Sequence, residues 1–357
     1  MLVLLARHFV GVNRQTAQTS FVMARFSDLS VKTGCLYRQF SYLNCNSSVS
    51  KSKSIAKKSP IVNHQITRSM RIVQFTLPGS NEVKVGGQLG LNGDVVDLTK
   101  ALGVKSTIEL IEGGTQLQEK AQKSLNAENK LPLNQVSLVA PVTKPDKVLC
   151  IGMNYKDHCE EQNKPIPEEP LVFNKYPSCI IGPHDPIPYP EITKELDWEV
   201  ELVIVIGKAG FHIAKEKALD HVYGFTVAHD VSARDWQLKK NAGQWLLGKA
   251  MDGFCPLGPA LVTKDEIPDP HNLNLGCKVN GVAKQDSNTR QLVFKTEDIV
   301  AWCSQFCTLR PGDIILTGTP PGVGCFMKPP QFLQKGDEVE CWIEKIGSIK
   351  NAVVGKN

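Results

Sequence analysis

Residues 197–207 read Asp197-Trp198-Glu199-Val200-Glu201-Leu202-Val203-Ile204-Val205-Ile206-Gly207. The second half is a β-branched apolar run closed by glycine, the pattern of a buried strand. Alternate residues of a strand share a face, which puts Asp197, Glu199, Glu201, Val203 and Val205 on one side. Three carboxylates then sit beside the core, and buried carboxylates need a cation or must take up protons. The competing reading is an edge strand whose acidic half faces water. The sequence about 30 residues downstream bears on that choice.

The chain has 357 residues, 41% apolar and 22% charged, the make-up of an ordinary globular protein with room for one large domain and a smaller one. No apolar run reaches the length of a membrane-spanning helix. The net charge of +5 divides unevenly. Residues 1–69 hold ten Lys and Arg against one acid, Asp28, and so carry +9; the other 288 residues hold 31 bases and 35 acids and carry −4. A mildly acidic body gives no sign of a nucleic-acid partner. The eleven cysteines are scattered, with no CxxC pair, which argues against zinc ribbons, thioredoxin-like chemistry and a secreted disulfide framework. They are expected as free thiols, mostly small core residues.

The opening segment spreads Arg7, Arg14 and Arg25 among apolar and hydroxyl residues, and Arg7 interrupts any secretory apolar centre. This fits a mitochondrial transit peptide, followed by a polar, basic, disordered linker at Ser47–Ser59; the competing reading is a plain basic tail. Residues 1–69 are therefore expected to be presequence and linker, with a matrix location for the mature protein. A small amino-terminal domain is expected over 70–141. It holds strands in RIVQFTL, VKVGGQLG and DVVDLTK, then a helical stretch broken by Gly113-Gly114. Residues 142–357 form the main domain.

After the strand in KVLCIGMNY, a short helix bounded by Pro165 and Pro167 would place His158 and Glu161 on one face, as a lid over a pocket or as a solvated polar helix. Lys175 follows, before a proline-rich turn. AKEKALDHVYGF is expected as a helix ending at Gly224. Phe225–Ala228 reads as a strand with Asp230 at its end. Glu199, Glu201 and Asp230 then make an all-oxygen set suited to Mg²⁺ or Mn²⁺, with Ca²⁺ admitted and zinc disfavoured. His229 points the other way and reads as structural. Lys249, beside Gly248 and an apolar run, is either a surface residue or a buried cation next to the anionic site. Asn280-Gly281 is a hairpin turn. The next helix, with Thr296 as N-cap, turns Ile299, Val300, Cys303 and Phe306 inward, so Cys303 is core rather than nucleophile. The loop IILTGTPPGVG lacks a P-loop's Gly-Lys-Ser ending, but could offer N–H groups and the Thr319 hydroxyl to a substrate carboxylate.

Five segments in order, GMNYKDH, DWEVELVIVIG, AHDVSARDWQ, LGKAMDGFCPLGP and LTGTPPGVG, resemble the fumarylacetoacetate hydrolase (FAH) family, in particular its small-acid members from animals. The resemblance covers roughly residues 70–350. It implies an α+β, β-rich fold of mixed sheets rolled into a barrel-like catalytic domain, and a homodimer. It also implies Mg²⁺ or Mn²⁺ on Glu199, Glu201 and Asp230, a catalytic His158–Glu161 dyad with Lys249, and substrate binding by Lys175, Arg234, Gln237 and Thr319. The chemistry expected from these residues is enolate formation from a small 2-oxo acid, with a Lewis-acidic cation and Lys249 meeting the developing oxyanion. Keto–enol tautomerisation of oxaloacetate is the leading reading; oxaloacetate decarboxylation or acylpyruvate hydrolysis is the alternative. A non-catalytic metal-binding interaction protein is the reading from a different class, which the survival of Lys249 and the lid dyad disfavours.

Overall fold

The computed structural model describes residues 69–126 and 130–355, so the expectations for residues 1–68 lie outside it. The described residues all belong to one compact unit.

The strand Val200–Ile206 is fully buried and sits inside a twelve-stranded mixed sheet. Its neighbours are Val222–His229, antiparallel, and Ile314–Leu316, also antiparallel. Beyond Ile314–Leu316 lie Val148–Gly152, in parallel, and the edge strand Leu171–Lys175. On the other side come Cys255–Thr263, Arg71–Thr76, Lys84–Gln88, Val95–Asp97 and Lys130–Leu131. Strands of the 70–141 stretch thus continue the large sheet through Arg71↔Val262 and Ile72↔Leu261. A second, five-stranded sheet contains the hairpin Asn274–Val279/Val282–Asn288, together with Glu338–Ile343, Gly347–Gly355 and Ile187–Tyr189. The fold is α+β and strand-rich. Its large ladder runs open from one edge to the other, so the described strands do not close a barrel.

Period-two alternation decides which core each side chain joins. Leu202, Ile204 and Ile206 pack with Leu275, Val279, Val339 and Ile343 of the second sheet. Val203 and Val205 pack on the opposite side with Val85, Leu98 and Leu110. Most elements form as expected. The helices Thr107–Glu112 and Gly114–Ser124 flank Gly113, and Asn280 and Gly281 take the positive φ of a two-residue hairpin turn. All nine described cysteines are free, and Cys303 is core.

Four local expectations are corrected. The acidic strand is interrupted at Trp198-Glu199: Leu196–Asp197 pairs separately with Ser232–Ala233. Residues 215–221 wind as 3₁₀ turns, and the strand begins at Val222, ahead of Gly224. Thr296 is the first helical residue, with Lys295 in the cap position. Phe306 lies beyond the helix Thr296–Cys303 and is 69% exposed, because the apolar face ends with the helix.

Asn154 fixes the approach to the next helix. It is fully buried, and its amide donates to Phe294 O (3.1 Å) and Thr317 O (2.8 Å) while accepting from Phe294 N (2.8 Å). Asn154→Ala strands those backbone groups and should cost about 2–4 kcal/mol of stability. Denaturant unfolding checks this; an unchanged midpoint would contradict it.

Candidate active site

The break at Trp198 separates the acidic residues of the opening stretch by partner. Asp197 turns to Arg234, whose Nε lies 2.7 Å from Asp197 Oδ2. Glu199 and Glu201 stay together and meet Asp230, which follows directly on the strand Val222–His229. Oxygens of these three buried carboxylates lie within 4.8 Å of one another. Asp197 is no part of that cluster.

Three cations hold the carboxylates in place. Lys249 ends the short helix Leu246–Lys249 and is buried; its Nζ is 2.7 Å from Glu199 Oε2 and 3.0 Å from Asp230 Oδ2. Arg234 Nη2 lies 2.7 Å from Glu199 Oε1, and its Nη1 donates to Gln237 Oε1 at 2.9 Å. Lys175 Nζ is 2.7 Å from Asp230 Oδ1, as an ion pair, and donates to the carbonyls of Val231, Phe254 and Lys249. Burial alone would lower the Lys249 pKa, but Asp230 and Glu199 outweigh it and hold the ammonium charged. Burial would likewise raise Glu199, yet Lys249 and Arg234 keep its carboxyl below the ordinary range. Glu201 differs: burial first, then Asp230 and Glu199, push it well above the usual carboxylate range. Its Oε2 accepts a 2.7 Å bond from Gly318 N, which does not offset that burial.

The loop after Ile314–Leu316 spends its backbone N–H groups on the protein's own carboxylates. Gly318 N serves Glu201, Gly322 N serves Glu161 Oε1 at 2.9 Å, and Gly324 N and Cys325 N serve Asp197 at 2.7 and 3.0 Å. Gly318 takes φ +99°, and a Cβ there would come within 2.9 Å of Asn154 Cβ, so glycine is required. The Thr319 hydroxyl proton goes to Val200 O (3.0 Å), and its oxygen accepts from Gln285 Nε2 (2.8 Å). The sequence suggested that this loop offers N–H groups and a hydroxyl to a substrate; in the structure those named donors are taken by protein oxygens.

His158 and Glu161 share the face of the helix Lys156–Glu161, with His158 Nδ1 2.8 Å from Glu161 Oε2. Both line a cavity of about 450 Å³ together with Glu199, Glu201, Arg234, Gln237, Lys249 and Thr319. Asp230 and Lys175 are fully buried and do not line it: Lys175 stands behind Asp230. His229 faces away, its two ring nitrogens unpartnered among the described residues, and burial lowers its pKa to about 3. Gln162 was not anticipated. It contacts the second ring nitrogen of His158 at 2.8 Å, and its position four residues after His158 on a helix was the available signal.

The chain belongs to the fumarylacetoacetate hydrolase family. Residues 147–354 match the fumarylacetoacetate (FAA) hydrolase C-terminal family. Among similar proteins, "Oxaloacetate tautomerase Fahd2a, mitochondrial" of Rattus norvegicus is 57% identical over 294 residues, 81% of this chain and 93% of that protein. "Oxaloacetate tautomerase FAHD2A, mitochondrial" of Homo sapiens is 55% identical over 293 residues, again 81% and 93%. A solved fumarylacetoacetate hydrolase from Exiguobacterium antarcticum is 37% identical with TM-score 0.73, covering 81% of this chain and 100% of its own. A maleylpyruvate hydrolase from Sphingobium sp. SYK-6, solved in complex with manganese(II) ion and pyruvate, is 30% identical with TM-score 0.68 over 81% and 100%.

The residues fit a divalent cation. Four buried carboxylates, Asp197, Glu199, Glu201 and Asp230, face three buried cations, Arg234, Lys249 and Lys175. Glu201 is the carboxyl with no ion pair among them, and its raised pKa marks the missing positive charge. Cation binding should therefore favour loss of the proton from Glu201, with proton release on binding and affinity rising with pH. Calorimetry with Mg²⁺ in buffers of different ionisation heat measures this, and Glu201→Gln should weaken binding sharply. Affinity independent of pH, or unchanged in the variant, would contradict it.

Proposed function

We propose that the protein is a divalent-cation-dependent tautomerase that interconverts keto and enol oxaloacetate in mitochondria. The observation that carries the reading is the His158–Glu161 pair opening on the same cavity as Lys249 and a buried three-carboxylate cluster. The similarity to proteins named oxaloacetate tautomerase selects the substrate. The +9 charge of residues 1–69 and the mitochondrial relatives support the location, with those residues as presequence and linker. The same reading carries the family's rolled, barrel-like sheets, a homodimer, and a small domain at 70–141 ahead of a catalytic domain at 142–357. No described helix is long and apolar enough to cross a membrane.

Glu199, Glu201 and Asp230 would hold Mg²⁺ or Mn²⁺, and the oxygen-only set admits Ca²⁺ as well. When bound, the cation supplies Lewis acidity to the carboxylate and C2 oxygen of the 2-oxo acid. Lys249 brings a fixed ammonium to the place where negative charge develops as the C3 proton leaves. Arg234 and Gln237 form a hydrogen-bonded pair on the cavity wall and orient the acid, while Lys175 acts by keeping Asp230 aimed. His158 takes the C3 proton on Nε2 and returns it to the C2 oxygen, so the reaction is balanced within the substrate. Glu161 keeps the Nδ1 proton and steadies the imidazolium that forms in between.

Cleavage of an acylpyruvate is the second reading, favoured by the likeness to maleylpyruvate hydrolase; decarboxylation of oxaloacetate would use the same cluster. A non-catalytic cation-binding protein would not need the dyad. Mg²⁺-loaded protein is to be assayed side by side on enol-oxaloacetate, oxaloacetate and acylpyruvates. Fast loss of the enol absorbance with oxaloacetate conserved supports the tautomerase; C–C cleavage alone, or no reaction, overturns it. His158→Ala should slow tautomerisation about 10²–10⁴-fold while leaving Mg²⁺ affinity intact; parallel loss of affinity would show a structural role instead. A chain starting at Met70 should keep its activity and remain cytosolic in cells, and import of that chain would refute the presequence.

A further inference from the structure

Just past the helix Lys156–Glu161 stands a polar side chain on the cavity that the reaction above leaves without a role. Gln162 follows Glu161, lines the cavity, and sets its Nε2 2.8 Å from His158 Nε2. The same amide nitrogen lies 3.2 Å from Met153 Sδ. Met153 is a non-glycine residue at φ +54°, a conformation that persists only where the surroundings enforce it. Three contacts agree on one protonation pattern. The Glu161 carboxylate at Nδ1 calls for a proton on that nitrogen, which leaves Nε2 a bare lone pair. A bare Nε2 accepts from an amide N–H, and the second N–H of the amide finds the thioether. Turning the amide over would set its oxygen against both the lone pair and the sulfur.

We propose that Gln162 is a positioning residue for His158: its amide, held by Met153, caps Nε2, fixes the imidazole as the Nδ1–H tautomer and withholds the base until a bound 2-oxo acid takes the cap's place. The proposal rests on the tautomerase reading for its kinetic arm, but its structural arm stands alone. The cap works by what it donates. An N–H aimed at Nε2 stabilises the unprotonated ring nitrogen and opposes its taking a solvent proton. An apolar side chain of similar length removes that opposition, and a carboxylate reverses it, drawing a proton onto Nε2 as Glu161 already does at Nδ1. Charge at Nε2 is of no use to a base, so the acid side of the rate profile reports the cap directly. Met153, on the strained turn between the strand Val148–Gly152 and the lid helix, gives the amide its resting orientation and a place to swing from.

The test has two readouts. Nitrogen-15 NMR of histidine-labelled full-length protein without substrate, at mildly alkaline pH, should show His158 with a proton on Nδ1 and none on Nε2; a proton on Nε2 overturns the proposal whatever the enzyme does. In the pH profile of kcat/KM for enol-oxaloacetate, which reports the free enzyme where the cap sits, the acid limb should move to higher pH in the order wild type, Gln162→Met, Gln162→Glu, with the last shifted by about one pH unit or more. Identical acid limbs in all three proteins would also overturn it. A wild-type protein with no tautomerase activity refutes the reading of function, and the NMR result then still decides the cap.

Discussion

Four carboxylates buried where the strand Val200–Ile206 begins and Val222–His229 ends set the terms for the rest of this structure. Each ionised group removed from water costs several kcal/mol unless charge and hydrogen bonds are returned to it. Asp197, Glu199, Glu201 and Asp230 are all below a tenth exposed, so the fold has to bring cations and donors to them from distant parts of the chain. Arg234 comes from the turn after Asp230, Lys249 from a short helix, and Lys175 from the edge strand. The glycine-rich loop adds backbone N–H groups to Asp197 and Glu201. Removing any one of these would leave a buried charge uncompensated, which is why so many segments converge on this point.

The compensation is uneven, and the unevenness is what makes the site useful. Glu199 and Asp230 each have ion pairs, and Asp197 has both a guanidinium and three backbone donors. Glu201 has one backbone N–H, from Gly318, and two carboxylates for neighbours. A position starved of positive charge, inside an otherwise rigid cage, is a ready seat for a divalent ion. The His158–Glu161 pair is built separately, on a helix anchored to the glycine-rich loop through Glu161 and to Ser287 through Asp157 (2.7 Å). In the proposed mechanism, substrate polarisation and proton transfer would fall to different elements of one strand-rich scaffold. That division suits a family whose relatives include a tautomerase by name and a maleylpyruvate hydrolase by name.

Much of the candidate site was legible in the sequence because it follows from local periodicity. Alternation along residues 197–205 put Asp197, Glu199 and Glu201 on one face; Glu199 and Glu201 do meet beside Asp230 while Asp197 turns to Arg234, and the helical pairing of His158 with Glu161 holds. Asp230 was legible as the end of a strand, and His229 as its opposite neighbour. What could not be read was set by partners far along the chain or by backbone. The strand break at Trp198 exists because Asp197 answers to Arg234, 37 residues away. Lys175 is locked by three main-chain carbonyls, and the loop's donors are main-chain N–H groups, neither of which leaves a residue signature. The joining of the 70–141 strands to Cys255–Thr263 is a contact between segments nearly two hundred residues apart, with no local pattern to announce it.

The central claim is that the gap beside Glu201 is a cation seat which presents a 2-oxo acid to the lid dyad. Crystals grown with Mn²⁺ and oxalate, a planar mimic of an enolised 2-oxo acid, examined by anomalous scattering, test it most directly. The account predicts one strong peak with oxygens of Glu199, Glu201 and Asp230 at about 2.0–2.6 Å and oxalate on its cavity side. Manganese bound elsewhere, or no peak there with Lys249 still bridging Glu199 and Asp230, would contradict it.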